Sequence, residues 1–395
     1  MEYENRPFYR DTWVEIDLDS ISWNLARIKQ QLPAETAVIA VVKANAYGHG
    51  DYRVAEAALK AGASLLAVAF LDEALTLRDK GIQAPILVLG ATRARDARLA
   101  AVHHISLTVY EQEWLEEAAA CLQPEDRLAV HLKVDTGMGR IGVRDGAELI
   151  VLEQLLRADS RFEFEGVYTH FSTADEPDPA YFEAQLALFQ ERLSLLSGKP
   201  KYIHCSNSAA ALRYPAAHFN AVRIGIAMYG LAPSSTVEQE VPLPLREAFS
   251  LHSRLIHVKK LPKGEKVGYG AAYETAEEEW IGTLPIGYAD GWIRRLQGQE
   301  VLINGRRAPL VGKICMDQCM VRLPGYTEPG TEVTLIGGQG AGRISVNEIA
   351  DKLETINYEI PCLIGSRVPR IYKNANEPGC MICTPEDIIL VDSAH

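Results

Sequence analysis

Eight short apolar runs alternate, between residues 38 and 230, with polar stretches whose apolar residues recur at helical spacing. The runs are Val38–Val42, Leu65–Phe70, Ile86–Leu89, Ile105–Val109, Leu128–Val134, Gly166–Phe171, Tyr202–Cys205 and Ala221–Ile226. The intervening stretches include Asp51–Ala61 and Pro179–Ser197. Continuous apolar strands separated by helices are typical of a parallel sheet covered on both faces. Eight of them predict an α/β fold, a closed (β/α)8 barrel of the TIM type; an open doubly wound sheet is the alternative.

The composition changes near Ser234–Leu245, where proline and charged residues predict a linker. Beyond it, strand-like runs follow one another closely and are separated by turn signals such as Asn304-Gly305. Those runs include Ser253–Val258, Trp280–Leu284, Val301–Ile303 and Glu332–Ile336, and one helix is expected at Val346–Leu353. We therefore predict a barrel domain over residues 1–240 and a mainly antiparallel β domain over residues 241–395.

Composition argues against several classes of partner. The formal net charge of -12 is unfavourable for binding nucleic acid or an anionic membrane. No apolar run approaches the roughly 18 residues of a membrane span, and the opening segment lacks the apolar stretch of a secretion signal. Seven cysteines are irregularly spaced, and the Cys380/Cys383 pair stands alone, without a second pair or a histidine cluster. We expect a reduced, cytoplasmic protein with no metal site.

Unusual polar residues follow five of the predicted strands. In barrels of this type, ligands bind at the carboxyl ends of the strands, and phosphate is held after the seventh and eighth. The residues at those ends are Lys43, Arg140, His170, Asn207 with Ser208, and Arg223 with Gly225 and Ile226. The sequence therefore predicts that one mouth of the barrel carries the functional site.

Each of these side chains has an ordinary explanation as well as a functional one. Lys43 after a buried strand is usually a solvated charge, but a desolvated lysine can form a Schiff base with an aldehyde. Ser208 opens an alanine-rich helical stretch, so it can serve as a helix N-cap, a position that also suits phosphate. His170 can be a core histidine. Arg140 and Arg223 at one mouth would be poorly compensated unless an anionic ligand binds there.

Seven longer motifs are distributed along almost the whole chain. They are AVVKANAYGHG, KVDTGMGRIG, SNSAA, VRIGIAMYGL, LPIGYADGW, KICMDQCM and ETINYE. In sequence and order they resemble the alanine racemases, a family that depends on pyridoxal 5'-phosphate and combines a barrel with a β domain.

The resemblance implies a role for each site residue. Lys43 would form the Schiff base with the cofactor, and Arg223 would face the pyridine nitrogen. Because arginine keeps its proton, the ring would be a weaker electron sink, which limits side reactions. The remaining cofactor-binding positions would be Tyr47, His170, Asn207, Ser208, Gly225, Ile226 and Tyr358.

The resemblance also implies two catalytic bases on opposite faces of the substrate. Lys43 would be one and Tyr269 the other. A free tyrosine is a poor base at neutral pH, so the positive charge of Arg140 and hydrogen bonding through His170 would help to ionise it.

In the family, part of each active site comes from the second subunit of a homodimer. Tyr269, Met316 and Asp317 would reach the partner's barrel, and Tyr288 and Tyr358 would narrow the entrance in favour of a methyl side chain. Lys133 matches a position that is carbamylated in some relatives.

The expected activity is therefore interconversion of L- and D-alanine, supplying D-alanine for peptidoglycan or permitting growth on it. A racemase of broader specificity is an alternative, and a non-catalytic pyridoxal-phosphate carrier is another, although such carriers resemble the barrel half alone. Arg223 argues against a decarboxylase on the same plan, because those enzymes place a carboxylate at the pyridine nitrogen. A sugar- or nucleotide-phosphate enzyme would not explain Lys43 beside two arginines.

Overall fold

The computed structural model of the chain describes residues 8–374 and the backbone of residues 381–383. The first seven residues and Cys380 of the predicted cysteine pair lie outside the described part. The chain forms two compact units. One comprises Ser20–Ala46 and Asp51–Arg246, and the other comprises Met1–Asp19, Tyr47–Gly50 and Glu247–His395.

The first unit contains a closed barrel of eight parallel strands, which confirms the predicted fold class and excludes the open sheet. The strands are Ala37–Val41, Leu65–Val68, Ile86–Val88, Ile105–Val109, Leu128–Lys133, Phe162–Tyr168, Tyr202–His204 and Ala221–Ile224. The barrel closes where Ile39 of the first strand pairs with Arg223 of the eighth. Most strand residues are buried, as continuous apolar strands covered on both faces require.

Helices follow the barrel strands and cover them. Those of this region are Leu18–Lys29, Asp51–Lys60, Leu71–Asp79, Ala97–Val102, Gln112–Cys121, Gly146–Ala158, Ala180–Ser194, Ser208–Arg213 and Ser235–Glu240. Asp51–Lys60 buries Val54, Ala55 and Ala58 on one face, which is the spacing that predicted it.

The second unit is built on a mainly antiparallel sheet, as predicted. Its strands are Thr12–Asp17, Phe249–Arg254, His257–Leu261, Glu279–Leu284, Glu300–Ile303, Arg306–Val311, Cys319–Leu323, Glu332–Gln339, Gly342–Ile344, Arg370–Lys373 and Met381–Cys383, with a separate pair at Lys266–Val267 and Tyr273–Glu274. Thr12–Asp17 pairs antiparallel with Phe249–Arg254 and parallel with Arg370–Lys373. The helices Val346–Leu353 and Glu359–Leu363 complete the unit, and the first of them has the predicted bounds.

Two local predictions were wrong. The single strand predicted over Ser253–Val258 is two strands, because the chain leaves Glu332–Gln339 after Arg254 and pairs with Glu279–Leu284 from His257 onward. Apolar periodicity does not reveal such a change of partner. Part of the predicted linker forms the helix Ser235–Glu240, capped by the Ser234 hydroxyl, which accepts a hydrogen bond from the Val237 amide at 3.3 Å.

In the described part of the chain, every helix is too short or too polar to cross a membrane.

The buried carboxylate of Asp290 accepts hydrogen bonds from two segments of the second unit, and its removal should destabilise the protein. Asp290 is fully buried. Its carboxylate accepts a hydrogen bond from Arg10 Nη1 at 2.7 Å and another from the Gly287 amide at 3.0 Å. Asp290→Ala leaves both donors without this acceptor, so we expect the free energy of unfolding to fall by about 3 kcal/mol. Chemical denaturation monitored by circular dichroism measures it. The exposed helical residue Asp351 provides the control, because Asp351→Ala should change stability by less than about 0.5 kcal/mol. Equal losses in the two variants would contradict this role.

Candidate active site

Lys43 stands at the start of a left-handed turn that follows the first barrel strand. The φ angles of Ala44, Asn45, Ala46 and Tyr47 are 53°, 53°, 50° and 53°. A residue with a Cβ atom adopts this conformation at a cost of roughly 1–2 kcal/mol. Four such residues in succession must therefore be held by their surroundings.

Side-chain carboxylate and amide groups hold this turn. The Ala44 amide donates to Glu73 Oε1 at 2.6 Å, and the Asp51 amide donates to Asn45 Oδ1 at 2.9 Å. The other oxygen of Glu73 accepts from the Ala69 amide at 2.6 Å. Glu73 thus ties the segment after the first strand to the segment after the second. Nothing in the sequence distinguishes Glu73, because an acid in the first turn of a helix is normally explained by the helix dipole.

Arg223 projects from the eighth strand into the barrel and is only 3% exposed. Its guanidinium donates to the carbonyl oxygens of Thr169, His204 and Cys205 at 2.9, 3.1 and 2.9 Å. It also donates to His170 Nδ1 at 3.1 Å. In the part of the chain that the structure describes, no carboxylate is hydrogen-bonded to it. Burial lowers the pKa of Arg223 to about 10, so the side chain remains a cation at neutral pH.

Positive charge accumulates around His170 and Lys133. Burial, followed by the charges of Arg223 and Arg140, brings the pKa of Lys133 down to about 7. Burial and the charges of Arg223 and Lys133 hold the pKa of His170 well below its usual value, so this imidazole is neutral. Lys43 contributes to both shifts. The three cations predicted at the strand ends, Lys43, Arg140 and Arg223, therefore act on one region, which favours an anionic ligand.

The turn that carries Arg140 is shaped by Asp135. This carboxylate accepts from the amides of Gly137 and Gly139 at 3.0 and 3.1 Å, and the φ angles of both glycines are positive. The side chain of Arg140 is exposed. It is accordingly available to a ligand or to a neighbouring protein surface.

Ser208 and Gly225 meet between the seventh and eighth strands. The Gly225 amide donates to Ser208 Oγ at 3.0 Å, which leaves the hydroxyl hydrogen of Ser208 available to an acceptor. The helix N-cap is Asn207, whose Oδ1 accepts from the Ala210 amide at 2.9 Å. The alternative explanation of Ser208 as the N-cap was therefore wrong by one residue. Ile226 is buried beside Gly225.

In the second unit, the predicted substrate residues are largely exposed. Tyr269 is 72% exposed, Met316 53% and Tyr288 40%, and Asp317 is exposed as well. Backbone hydrogen bonds link two of these segments, since the Tyr288 amide donates to Cys315 O at 3.0 Å and the Ala289 amide donates to Met316 O at 3.0 Å. Their exposure makes these side chains available to a neighbouring protein surface.

Other contacts in the second unit fix three of the predicted residues. Asp317 Oδ1 accepts from Arg367 Nη2 at 2.8 Å. The rings of Tyr47 and Tyr358 lie with their centroids 6.1 Å apart, and burial raises the pKa of Tyr47. Gly48, next to Tyr47, has a φ of 80°, and a Cβ atom there would lie 2.2 Å from Pro361 O. Only glycine fits at position 48, because the backbone there passes too close to Pro361 for a side chain.

The fold and this site define a two-unit barrel enzyme whose cationic groups gather around Arg223 and Lys133. Residues 16–233 match the family model of the alanine racemase N-terminal domain, and residues 248–372 match that of the alanine racemase C-terminal domain. The chain belongs to the alanine racemase family and is an isomerase.

Individual relatives agree with this assignment. The alanine racemase of Geobacillus stearothermophilus is 59% identical over 365 residues, which cover 92% of this chain and 94% of the relative. The crystal structure of alanine racemase from Bacillus anthracis with bound L-Ala-P superimposes with a TM-score of 0.93 at 49% identity, covering 97% of this chain and all of that one. Histidine racemase from Leuconostoc mesenteroides subsp. sake has a TM-score of 0.87 at 34% identity, covering 94% of this chain and all of that one.

Proposed function

We propose that the chain interconverts L- and D-alanine with pyridoxal 5'-phosphate and so supplies D-alanine for peptidoglycan in the cytoplasm. The observation that carries the proposal is the group of cations formed by Lys43, Arg140 and Arg223, whose charges all act on the neutral His170. A phosphorylated aldehyde provides both the negative charge that these groups favour and a partner for a lysine amine.

The residues of the barrel suit this cofactor. The buried Ser208 hydroxyl retains its hydrogen for a phosphate oxygen, and the Gly225–Ile226 backbone lies beside it. Lys43 would hold the cofactor through its amine, and Arg223 would donate to the pyridine nitrogen. Pyridoxal phosphate, when bound, withdraws electrons from the α-carbon of an amino acid and so acidifies its hydrogen. The assignments of Tyr47, Asn207 and Tyr358 to the cofactor stay predictions based on the family resemblance.

Two groups of the protein exchange the hydrogen of the α-carbon. In our proposal Lys43 takes it from one face, and Tyr269 of the partner subunit delivers one to the other face. Because Arg223 keeps its proton, its hydrogen bond to the pyridine nitrogen would keep electron withdrawal by the cofactor moderate. The α-carbon would then regain a proton before other reactions occur. The neutral His170 and the cation Arg140 would orient and help to ionise Tyr269.

A homodimer fits the exposure of the second unit. Tyr269, Met316 and Tyr288 would all be covered by a partner subunit, and Met316 and Asp317 would then contact the substrate bound there. Tyr288 would restrict the space next to the α-carbon to a small side chain. Each subunit would thereby complete the active site of the other.

The direct test follows the optical activity of L-alanine during incubation with purified protein and pyridoxal phosphate. We expect the circular dichroism signal to decay to zero from either enantiomer, because enantiomers are equal in free energy in water. A yellow protein that leaves the signal of alanine unchanged would contradict the proposed activity.

A broader substrate range is the second candidate, since a histidine racemase shares this fold. The same measurement with L-serine, L-lysine and L-histidine distinguishes the two. Decay for alanine alone supports the narrow specificity proposed for Tyr288.

Lys133 has the properties of a carbamylation site, and we propose that it is modified. Its neutral amine can attack the carbon of CO2: an N–C bond forms, one C=O π bond of CO2 opens to give a carboxylate, and one proton of the nitrogen passes to water. The neutral amine thereby becomes an anion that the charges of Arg223 and Arg140 stabilise. Because the pKa of Lys133 is about 7, the reactive neutral amine increases from about pH 6 to about pH 8, and the modification should increase with it at constant dissolved CO2. With ¹³C-labelled CO2, a carbamate carbon signal should appear in the NMR spectrum. Lys133→Ala should lack the signal, whereas the exposed-lysine control Lys60→Ala should retain it. A spectrum without a carbamate signal at any of these pH values would contradict the modification.

A further inference from the structure

A line of hydrogen-bonded side chains runs through the interior of the barrel from Arg223 to Glu165. Arg223 Nη1 lies 2.7 Å from His204 Nδ1, and His204 Nε2 lies 2.8 Å from His131 Nδ1. His131 Nε2 lies 3.2 Å from Glu165 Oε2. Both histidines are fully buried, and Glu165 is 7% exposed. The four side chains come from strands five to eight of the barrel.

Arginine, which only donates, stands at one end of this line and a carboxylate, which only accepts, stands at the other, so both ends require the same direction of every hydrogen bond. Arg223 only donates, so His204 Nδ1 must accept, and the hydrogen of His204 is on Nε2. That hydrogen is donated to His131 Nδ1, and His131 in turn donates from Nε2 to Glu165. Burial and the charge of Arg223 hold the pKa of His204 well below its usual value, and burial lowers that of His131, so both imidazoles are neutral. One tautomer of each histidine satisfies all three contacts.

The carboxylate of Glu165 accepts the last hydrogen bond of this line. Its carboxylate also accepts from Ser106 Oγ at 2.8 Å and from Lys201 Nζ at 3.3 Å. Burial alone would raise the pKa of Glu165, but the hydrogen bonds from His131 and Ser106 hold it below its usual value, so the group is an anion. The next residue is Gly166, where a Cβ atom would lie 2.3 Å from His131 Nδ1. The sixth strand thus supplies both the acceptor and the space for the imidazole.

We propose that Glu165 is a positioning residue that fixes the tautomers of His131 and His204, so that His204 accepts from Arg223 and holds its guanidinium in place. The catalytic consequence rests on the proposed function, in which Arg223 faces the pyridine nitrogen. Without a fixed acceptor at the far end, both histidines can reverse their tautomers. His204 Nδ1–H would then face an arginine donor at 2.7 Å, and the guanidinium would have to move.

The tautomers can be observed in the cofactor-free protein, independently of activity. In protein labelled with ¹⁵N at the histidine rings, we expect His131 and His204 to give the signals of neutral Nε2–H imidazoles, unchanged between about pH 7 and about pH 8. Glu165→Gln should replace this state by a mixture of tautomers, because an amide both donates and accepts. Glu153→Gln is the matched control: Glu153 is equally buried in the same unit, but accepts from the Ser197 amide and Arg157 instead.

The kinetic consequence is measured in the loaded enzyme. Glu165→Gln should lower kcat about tenfold with little change in the KM for alanine, since the substrate contacts remain. Glu153→Gln should leave kcat unchanged.

Three results would overturn the proposal. The first is a wild-type spectrum in which either histidine titrates or carries its hydrogen on Nδ1. The second is a Glu165→Gln spectrum identical to that of the wild type. The third is a Glu165→Gln variant with a changed spectrum and the kcat of the wild type. The first needs no variant and decides the matter even when Glu165→Gln does not fold. Loss of racemisation in the wild type itself would instead refute the proposed function and leave the tautomer result standing.

Discussion

Lys43→Ala is expected to lose racemisation by about 10⁴-fold or more, because the variant lacks both the amine that would hold the cofactor and one of the two proposed bases. The protein should also lose the yellow colour that develops when the wild type is mixed with pyridoxal phosphate. Turnover measured by the decay of the L-alanine signal and the visible absorption spectrum together test both roles.

Lys43→Arg shows whether activity depends on the reactive amine of Lys43 or only on its positive charge. Arginine keeps a cation at the end of the first strand but stays protonated, so it neither joins an aldehyde nor removes a proton at neutral pH. We expect it to be as inactive as Lys43→Ala. Exogenous methylamine should restore part of the activity to the alanine variant. Normal turnover with retained colour in either variant would rule out Lys43 as the cofactor lysine.

Tyr269→Phe is expected to bind the cofactor normally and to lose about 10²–10⁴-fold in racemisation, the range for removal of a positioned acid–base group. The substitution removes one hydroxyl from an exposed side chain, so folding should be unaffected. Tyr326→Phe, at a tyrosine that is 62% exposed in the same unit, is the control and should be fully active.

Solvent exchange shows whether one base or two operate. In deuterated water, Tyr269→Phe retains Lys43 and should still incorporate deuterium at the α-carbon of one enantiomer of alanine, without inverting it. The other enantiomer should remain unlabelled. Equal labelling of both enantiomers, or racemisation at the wild-type rate, would show that a single base serves both faces.

The barrel was predictable because each strand is buried on both faces, so its signal is a local run of apolar residues. The polar residues at the strand ends were predictable for the same reason, because Lys43 directly follows an apolar run and Arg223 interrupts one. The left-handed turn at Ala44–Tyr47 was not, because alanine has no preference for positive φ and the turn depends on Glu73, a residue from the next segment of the chain.

The interior histidines were also missed. His131 and His204 lie inside strands that appear simply apolar, and their importance depends on which strands are neighbours in the closed barrel. Tyr269 and Glu165 have no local signal either. The first was assigned from the family resemblance alone, and the second acts through three other side chains.

The pairing of Thr12–Asp17 has a consequence for how the chain is made on the ribosome. The hydroxyl of Thr12 meets that of Ser253, which is synthesised 241 residues later, and the parallel neighbour Arg370–Lys373 emerges later still. Throughout that interval the apolar side chains of Val14 and Ile16 have no strand beside them. All eight barrel strands have been synthesised once Ile224 is in place, whereas Thr12–Asp17 lacks its parallel neighbour until Arg370–Lys373 has been made. Completion of this unit therefore depends on the last strands of the sheet to be synthesised, and not on the barrel.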